Sequence, residues 1–213
     1  MTSRREQKKQ QTFDAIVSAA SVSFRSVGYH GTTIEVIAVD AGVSAGTVYN
    51  YFGTKNAILL AVVTRDTEHA LADAGNAIDL SPGDPVEVLM PLILVYVDAM
   101  TALGRDVLKE LFRAGFDPTE SVVMADLVSL DERSILHFGE AFALLQAHDL
   151  ASDKAEPESA AILIYSVMAV ATLMFVSMPE FSAEDVETMI RSQLALAFGG
   201  IGVQSAGPLD ENS

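Results

Sequence analysis

Hydrophobic residues recur along this chain every three or four positions, in runs separated by short polar or glycine-bearing breaks. Phe13, Ile16, Val17, Ala20, Phe24 and Val27 keep that spacing. It predicts an amphipathic helix over about 8–27, ended by Gly28. Thr32 or Thr33 then caps a short helix through Ala41, with Glu35 in its first turn, and Gly42 breaks it. Ser44 caps a third helix running to about Tyr51, and a fourth runs from Lys55 to about Gly75. Ser81-Pro82-Gly83-Asp84-Pro85 is the strongest punctuation in the chain. Beyond it, long apolar stretches cover about 86–103, 105–115, 119–149, 158–178 and 183–198. Breaks fall at Gly104, from Gly115 to Pro118, from Ala151 to Pro157, and at Pro179. No stretch alternates with the period of a strand closed by hairpin turns, and no internal repeat is visible. The predicted fold class is all-α with about nine helices, and residues 201–213 read as a disordered tail.

Within residues 33–51, the positions Ile37, Ala41, Val43, Val48 and Tyr51 point inward, and Ala38 is small where two helices cross. Gly42 supplies the left-handed turn that so short a connection demands. This is the spacing of a helix-turn-helix, with 44–51 as its recognition helix. Gly46 is the anomaly, since glycine inside a helix costs about 1 kcal/mol relative to alanine. Two readings account for it: close packing of helices, or close approach of a partner to the backbone.

Composition sharpens this picture in two places. The chain has 213 residues, half of them hydrophobic, and no cysteine. That removes disulfides, thiolate metal sites and cysteine nucleophiles, and it fits a reducing cytoplasm. The polar start MTSRREQKKQQ is not a secretory signal. The net charge of −16 is unevenly placed: residues 1–55 hold six cations and four anions, so the remaining seven cations and twenty-five anions give the rest −18. A polyanionic partner is therefore repelled by the second part and tolerated only by the first.

The segment GYHGTTIEVIAVDAGVSAGTVYNYFGTKNAILLAVV, residues 28–63, closely resembles the DNA-binding domain of TetR-family transcriptional regulators. Gly-Tyr precedes a Thr-Thr pair, and Ile-Ala, Ala-Gly-Val-Ser, Gly-Thr-Val-Tyr, Tyr-Phe and a lysine follow in register. The resemblance covers about residues 10–65; beyond them it extends only to helix number and length. It implies an N-terminal three-helix DNA-binding domain over 1–54, with the helix-turn-helix at about 33–51, and a larger helical ligand-binding and dimerisation domain over 55–200. Its function would be that of a cytoplasmic, homodimeric repressor, released from a palindromic operator by a small, largely apolar ligand. Co-repression or activation by the ligand stays open.

A recognition helix of two turns enters the major groove by its first turn. There Gly46 lets DNA approach the backbone, while Ser44 and Thr47 offer hydroxyls and the helix end offers N–H groups. Asn50 suits a bidentate bond to adenine. The resemblance adds phosphate contacts at Tyr49 and Lys55 and a backbone contact at Thr33. Tyr51 stands where relatives carry His or Tyr and divides between packing and phosphate. Ala45, often polar or basic in relatives, has only a methyl to offer, for instance to thymine. Asp40 departs from the pattern and opposes any contact at its helix end. Arg4, Arg5, Lys8 and Lys9 form a basic arm for phosphates or a minor groove, with a solvated tail as the competing reading.

In the acidic part, signals for an enzyme are thin. The histidines are scattered, and His137-Phe-Gly-Glu140 reverses the order used in di-iron bundles and has no second copy. No metal site, cofactor or catalytic group is expected. The resemblance places an effector pocket among the middle helices. Met90, Tyr96, Met100, Phe112, Phe116, Met124, Phe138, Phe142, Tyr165 and Met168 are candidates to line it, and Asp98 or Asp126 to orient a polar head. Pro91 should kink or start its helix. The run 159–178 has no charge and is long enough to span a bilayer, but its flanks are acidic. It reads better as the core of a four-helix interface between two copies. Ala161, Ser166, Ala169 and Ala171 would permit close approach there, and Ile162, Leu173, Met174, Leu194 and Leu196 would supply buried area.

Overall fold

The computed structural model describes residues 3–74, 78–117, 119 and 121–199. Among them there are nine α-helices and no strand. They are α1 (Arg4–Gly31), α2 (Ile34–Asp40), α3 (Ala45–Phe52), α4 (Lys55–Ala74), α5 (Pro85–Thr101), α6 (Arg105–Gly115), α7 (Ser121–Ala147), α8 (Pro157–Ser177) and α9 (Ala183–Gly199). The expected tail over 201–213 and the Asp126 side chain lie outside the described residues.

The first helix starts earlier than its hydrophobic period suggests. Ser3 caps it, accepting from the Glu6 amide while the Glu6 carboxylate accepts from the Ser3 amide, a reciprocal capping box. The basic arm from Arg4 to Lys9 is therefore helix, not a loose tail. Hydrophobic spacing could not reveal this, because no residue before Phe13 is apolar enough to carry the pattern. At the other end Gly28 takes φ +73°, interrupting the helix as expected, and one further turn follows it. Thr33 and Ser44 cap α2 and α3 by accepting from the amides of Val36 and Thr47. Gly42, at φ +69°, makes the turn between them.

Ile16, Val17, Ala20 and Phe24 of α1 are fully or almost fully buried, as are Ile37, Ala38 and Val48 of the helix-turn-helix and Ile58, Leu59 and Val62 of α4. At about 1.5–3 kcal/mol for each large side chain removed from water, this shared core sets the angle between α2 and α3. Phe13 stacks on Phe52 with ring centroids 5.1 Å apart, tying the start of α1 to the end of α3. The α4 helix continues out of this unit and packs along α5 and α7.

In the body, Asp84 caps α5 through the amides of Val86 and Glu87, and Pro85 occupies the first turn. Pro91 lies inside α5 and faces solvent. Gly104, at φ +85°, turns the chain so that α6 leaves α5 at 94°. The α7 and α8 helices run against each other, closest where Gly139 meets Ala161: a β-carbon on Gly139 would sit 3.7 Å from that of Ala161. The apolar run forms α8, the one helix among the described residues with the length and hydropathy to cross a bilayer. It packs against α5, α6, α7 and α9, and one long side of it stays uncovered.

Candidate functional site

Ser44, Gly46, Tyr49 and Asn50 all stand exposed on α3, while Val48 is its fully buried anchor. The Ser44 hydroxyl accepts from the Thr47 amide at 3.1 Å and lies 2.9 Å from the Thr47 hydroxyl, so the two share one patch at the helix start. Ser44 is thus both cap and surface group. A β-carbon built on Gly46 would meet nothing nearer than the Ser44 hydroxyl, at 3.9 Å. Among the described residues no contact requires glycine there, so packing does not account for Gly46 and its backbone is open to approach from outside.

Facing α3 across an open concavity is the first turn and a half of α1. Arg5, Lys8 and Lys9 line it together with Thr47, Asn50 and Tyr51. Tyr51 donates its hydroxyl to the Lys9 carbonyl at 3.3 Å, so its ring braces the two helices. Packing against the core accounts for one side of that ring. Arg4 is exposed at the tip of α1. Thr33 stays exposed beside its capped amide, and Ala45 is half-buried against the core. Asp40 is exposed at the end of α2.

Lys55 behaves differently from the rest. Its ammonium donates to the carbonyls of Tyr29 at 2.8 Å and Thr32 at 2.9 Å, and it lies 3.9 Å from the centre of the Tyr29 ring. Burial lowers its pKa, with Glu110 pulling the other way. Two of its three protons thus close the exposed carbonyls at the end of α1. That corrects the expectation of an outward phosphate contact: the side chain folds back onto these two carbonyls, joining the Thr32 amide at that of Tyr29. Arg25 is likewise committed within the chain, to Asp66 at 2.9 Å and to the Ala102 carbonyl at 3.1 Å. Among the described residues other than Lys55, the cations of this face with no ion pair are therefore those at the start of α1.

In the body a small cavity of about 70 Å³ lies between α4, α5, α6, α7 and α8. Five expected side chains line it: Tyr96, Met100, Phe112, Tyr165 and Met168. Met90, Phe138 and Phe142 are buried elsewhere in the core, Phe138 against Tyr96 and Phe142 against Phe198. Asp98, Phe116 and Met124 face outward, Phe116 with 82% of its surface exposed. Helix phase explains Asp98: Tyr96 and Met100 share a face one turn apart, and a residue midway between them points away. Sequence reasoning missed Thr67, Leu111, Leu127, Leu130, Asp131, Ser134 and Thr172, and took Ala169, which also lines the cavity, for an interface residue. Asp131 and Ser134 carry no signal in the sequence, being ordinary polar residues in the middle of a long helix. Burial raises the Asp131 pKa, opposed by Tyr165; burial and the Asp131 carboxylate beside it together raise that of Tyr165.

The uncovered side of α8 presents Ile162, Leu163, Ser166, Val170 and Leu173, and Leu196 is exposed on α9. Met174 is half-buried. Ala161, Ala171 and Leu194, expected at an interface, are fully buried inside their own chain. They lie on the opposite side of their helices, where α7 and the rest of the body cover them.

The profile of bacterial regulatory proteins, tetR family, matches residues 16–62. The chain is 32% identical over 72 residues to the HTH-type transcriptional regulator UidR of Escherichia coli K12, and 52% identical over 44 residues to the HTH-type transcriptional regulator HbdR of an Aromatoleum species. These matches take in 34% and 21% of this chain, and 37% of UidR and 19% of HbdR, so the chain spans little more than a third of the curated relatives it matches. The structure of Thermus thermophilus FadR, a TetR-family transcriptional repressor in complex with lauroyl-CoA, matches with a TM-score of 0.63 at 24% identity, over 92% of this chain and 98% of that one. That likeness is one of fold. Residues 16–62 thus carry the sequence of the tetR family of bacterial regulatory proteins, and the chain along its length has the fold of TetR-family structures.

Proposed function

We propose that the chain is a cytoplasmic, homodimeric repressor and not an enzyme, released from a palindromic operator when a small, largely apolar molecule enters the body. In this reading residues 1–54 bind DNA, with the recognition helix α3 in the major groove, and residues 55–200 bind the effector and the second copy. The observation that carries it is the start of α3: an unhindered Gly46 between exposed Ser44 and Thr47, next to the cations of α1. A backbone so exposed, with hydroxyls at a helix N-terminus, suits phosphates and base edges. Tyr49 and the α1 cations would position the protein on phosphates, Asn50 and Thr47 would read bases, and Ala45 would touch a methyl.

Dimerisation would use the apolar side of α8 with α9, placing two recognition helices about one helical turn of DNA apart. Thr67 of α4 and Phe112 of α6 line the cavity, and both helices pack against α1. An effector that parts these walls would change the spacing of the two reading heads, and differential affinity of a few kcal/mol suffices to release DNA. The bound lauroyl-CoA of the Thermus neighbour supports small-molecule control. The test is fluorescence anisotropy with fragments flanking the chain's own coding region and a scrambled control. Tyr49→Phe and Lys8→Ala should weaken binding to every fragment about equally, whereas Asn50→Ala should narrow the gap between cognate and scrambled DNA. Equal loss on both for all three variants refutes the assignment of roles.

A further inference from the structure

We propose that the effector is a small apolar amine, held in the cavity as its ammonium ion with the charge on Asp131; this rests on the reading of the cavity as the effector site. Among the described residues Asp131 is the one charged residue lining the cavity, and no lysine, arginine or histidine lines it. Among the described residues no cation forms an ion pair with Asp131. A carboxylate so placed attracts a cation and repels a ligand that carries its own carboxylate or phosphate.

The uncharged groups of the lining point the same way. Ser134 and Thr172 are almost fully buried, and each hydroxyl donates back to its own helix, to the carbonyls of Leu130 and Met168, both at 2.9 Å. With their protons used, what they offer the cavity is lone pairs. The Tyr165 hydroxyl already donates to Asp131, but the carboxylate keeps lone pairs beside these two hydroxyl acceptors, and an ammonium brings three donors and no acceptor. The rings of Tyr96, Phe112 and Tyr165 give an aromatic surround that favours a cation over a neutral isostere. Apart from Thr67 and Ala169, the rest of the lining is leucine and methionine for the apolar body. Size sets the second term: about 70 Å³ is far below the roughly 300–1,000 Å³ of drug-sized sites. Larger amines therefore enter only by parting α6 and α8, the motion the release mechanism needs. Burial already raises the Asp131 pKa, and an incoming ammonium stabilises the ionised form in its place.

Benzylamine, benzyl alcohol and benzoate are similar in size and differ in the charge and hydrogen-bonding of the head group. Calorimetric titration of the full chain should rank benzylamine at least about tenfold above benzyl alcohol, with benzoate weakest. Asp131→Asn should abolish the preference for the amine while leaving the alcohol within about twofold. Benzoate binding as well as benzylamine, an amine preference that survives in Asp131→Asn, or no binding of any of the three at millimolar concentration overturns the proposal. The ranking on the unmodified chain stands whether or not the variant folds. DNA anisotropy without ligand, on the same preparations, separates this from the regulator reading: an amine preference without operator binding sinks only that reading, and operator binding with benzoate preferred sinks only the amine.

Discussion

Replacing Gly46 with alanine pits two properties of one position against each other. The backbone there has no positive φ, and the new methyl would find only the Ser44 hydroxyl, at 3.9 Å, an ordinary van der Waals distance. Nothing has to move. Alanine should therefore return most of the helix propensity that glycine forfeits, about 0.5–1 kcal/mol. For a chain of this size that corresponds to a rise in Tm of about 1–4 °C, readable by calorimetry or by circular dichroism at 222 nm. On DNA the same methyl stands on the exposed first turn of α3, between Ser44 and Thr47, and should keep that turn off the groove. A loss of about tenfold or more in operator affinity, or roughly 1.4 kcal/mol, is expected in anisotropy titrations. The signature is a more stable protein that binds less well. A lower Tm would refute the claim that the position is free of internal contacts. A higher Tm with unchanged affinity would refute close approach of DNA to this backbone.

Other substitutions test other links. Lys55→Met removes the ammonium that bonds the Tyr29 and Thr32 carbonyls and should cost about 1–3 kcal/mol in urea unfolding, a large effect for one half-exposed lysine. Burial pushes the Asp66 pKa up, but the hydrogen bonds from Arg65 and Arg25 outweigh it and hold the carboxyl below its ordinary value. Its contribution is therefore complete above the unfolded carboxylate pKa and disappears as pH falls through the lower folded one, so Asp66→Asn should flatten the stability curve below about pH 4. Ile162→Glu or Leu173→Glu puts a charge on the uncovered side of α8 and should weaken dimerisation on the order of 100-fold, seen by analytical ultracentrifugation, with fold content unchanged. Ala161→Glu, on the buried side, should unfold the chain instead.

What was legible in the sequence follows from what repeats or punctuates. Helix boundaries in α2 and α3 were marked by Thr33, Gly42 and Ser44, each of which does one local job that its chemistry dictates. The α8 helix announced its existence but not its phase. Hydrophobic on all sides, it gave no way to tell Ala161, which faces α7, from Ile162, which faces solvent. The cavity was half legible: large aromatic and methionine side chains suggested themselves, while Asp131, Ser134 and Thr172 did not. A polar residue becomes conspicuous only when burial deprives it of water, and burial here depends on which of five helices come together. Lys55 shows the same limit, since its partners lie 23 and 26 residues away in the chain.

Two clasps join α1 to the region of α6, and their separation matters more than their strength. Near one end Arg25 grips the Ala102 carbonyl at the corner before α6; toward the other, His30 meets Glu110 at 3.3 Å. One clasp would make a swivel, free to turn beneath its load. A pair set apart, one at the corner before α6 and one midway along it, transmits torque as well as displacement, so a tilt of α6 is passed to α1 and the reading head. Cutting either clasp should leave both ends of the protein competent and deaf to one another.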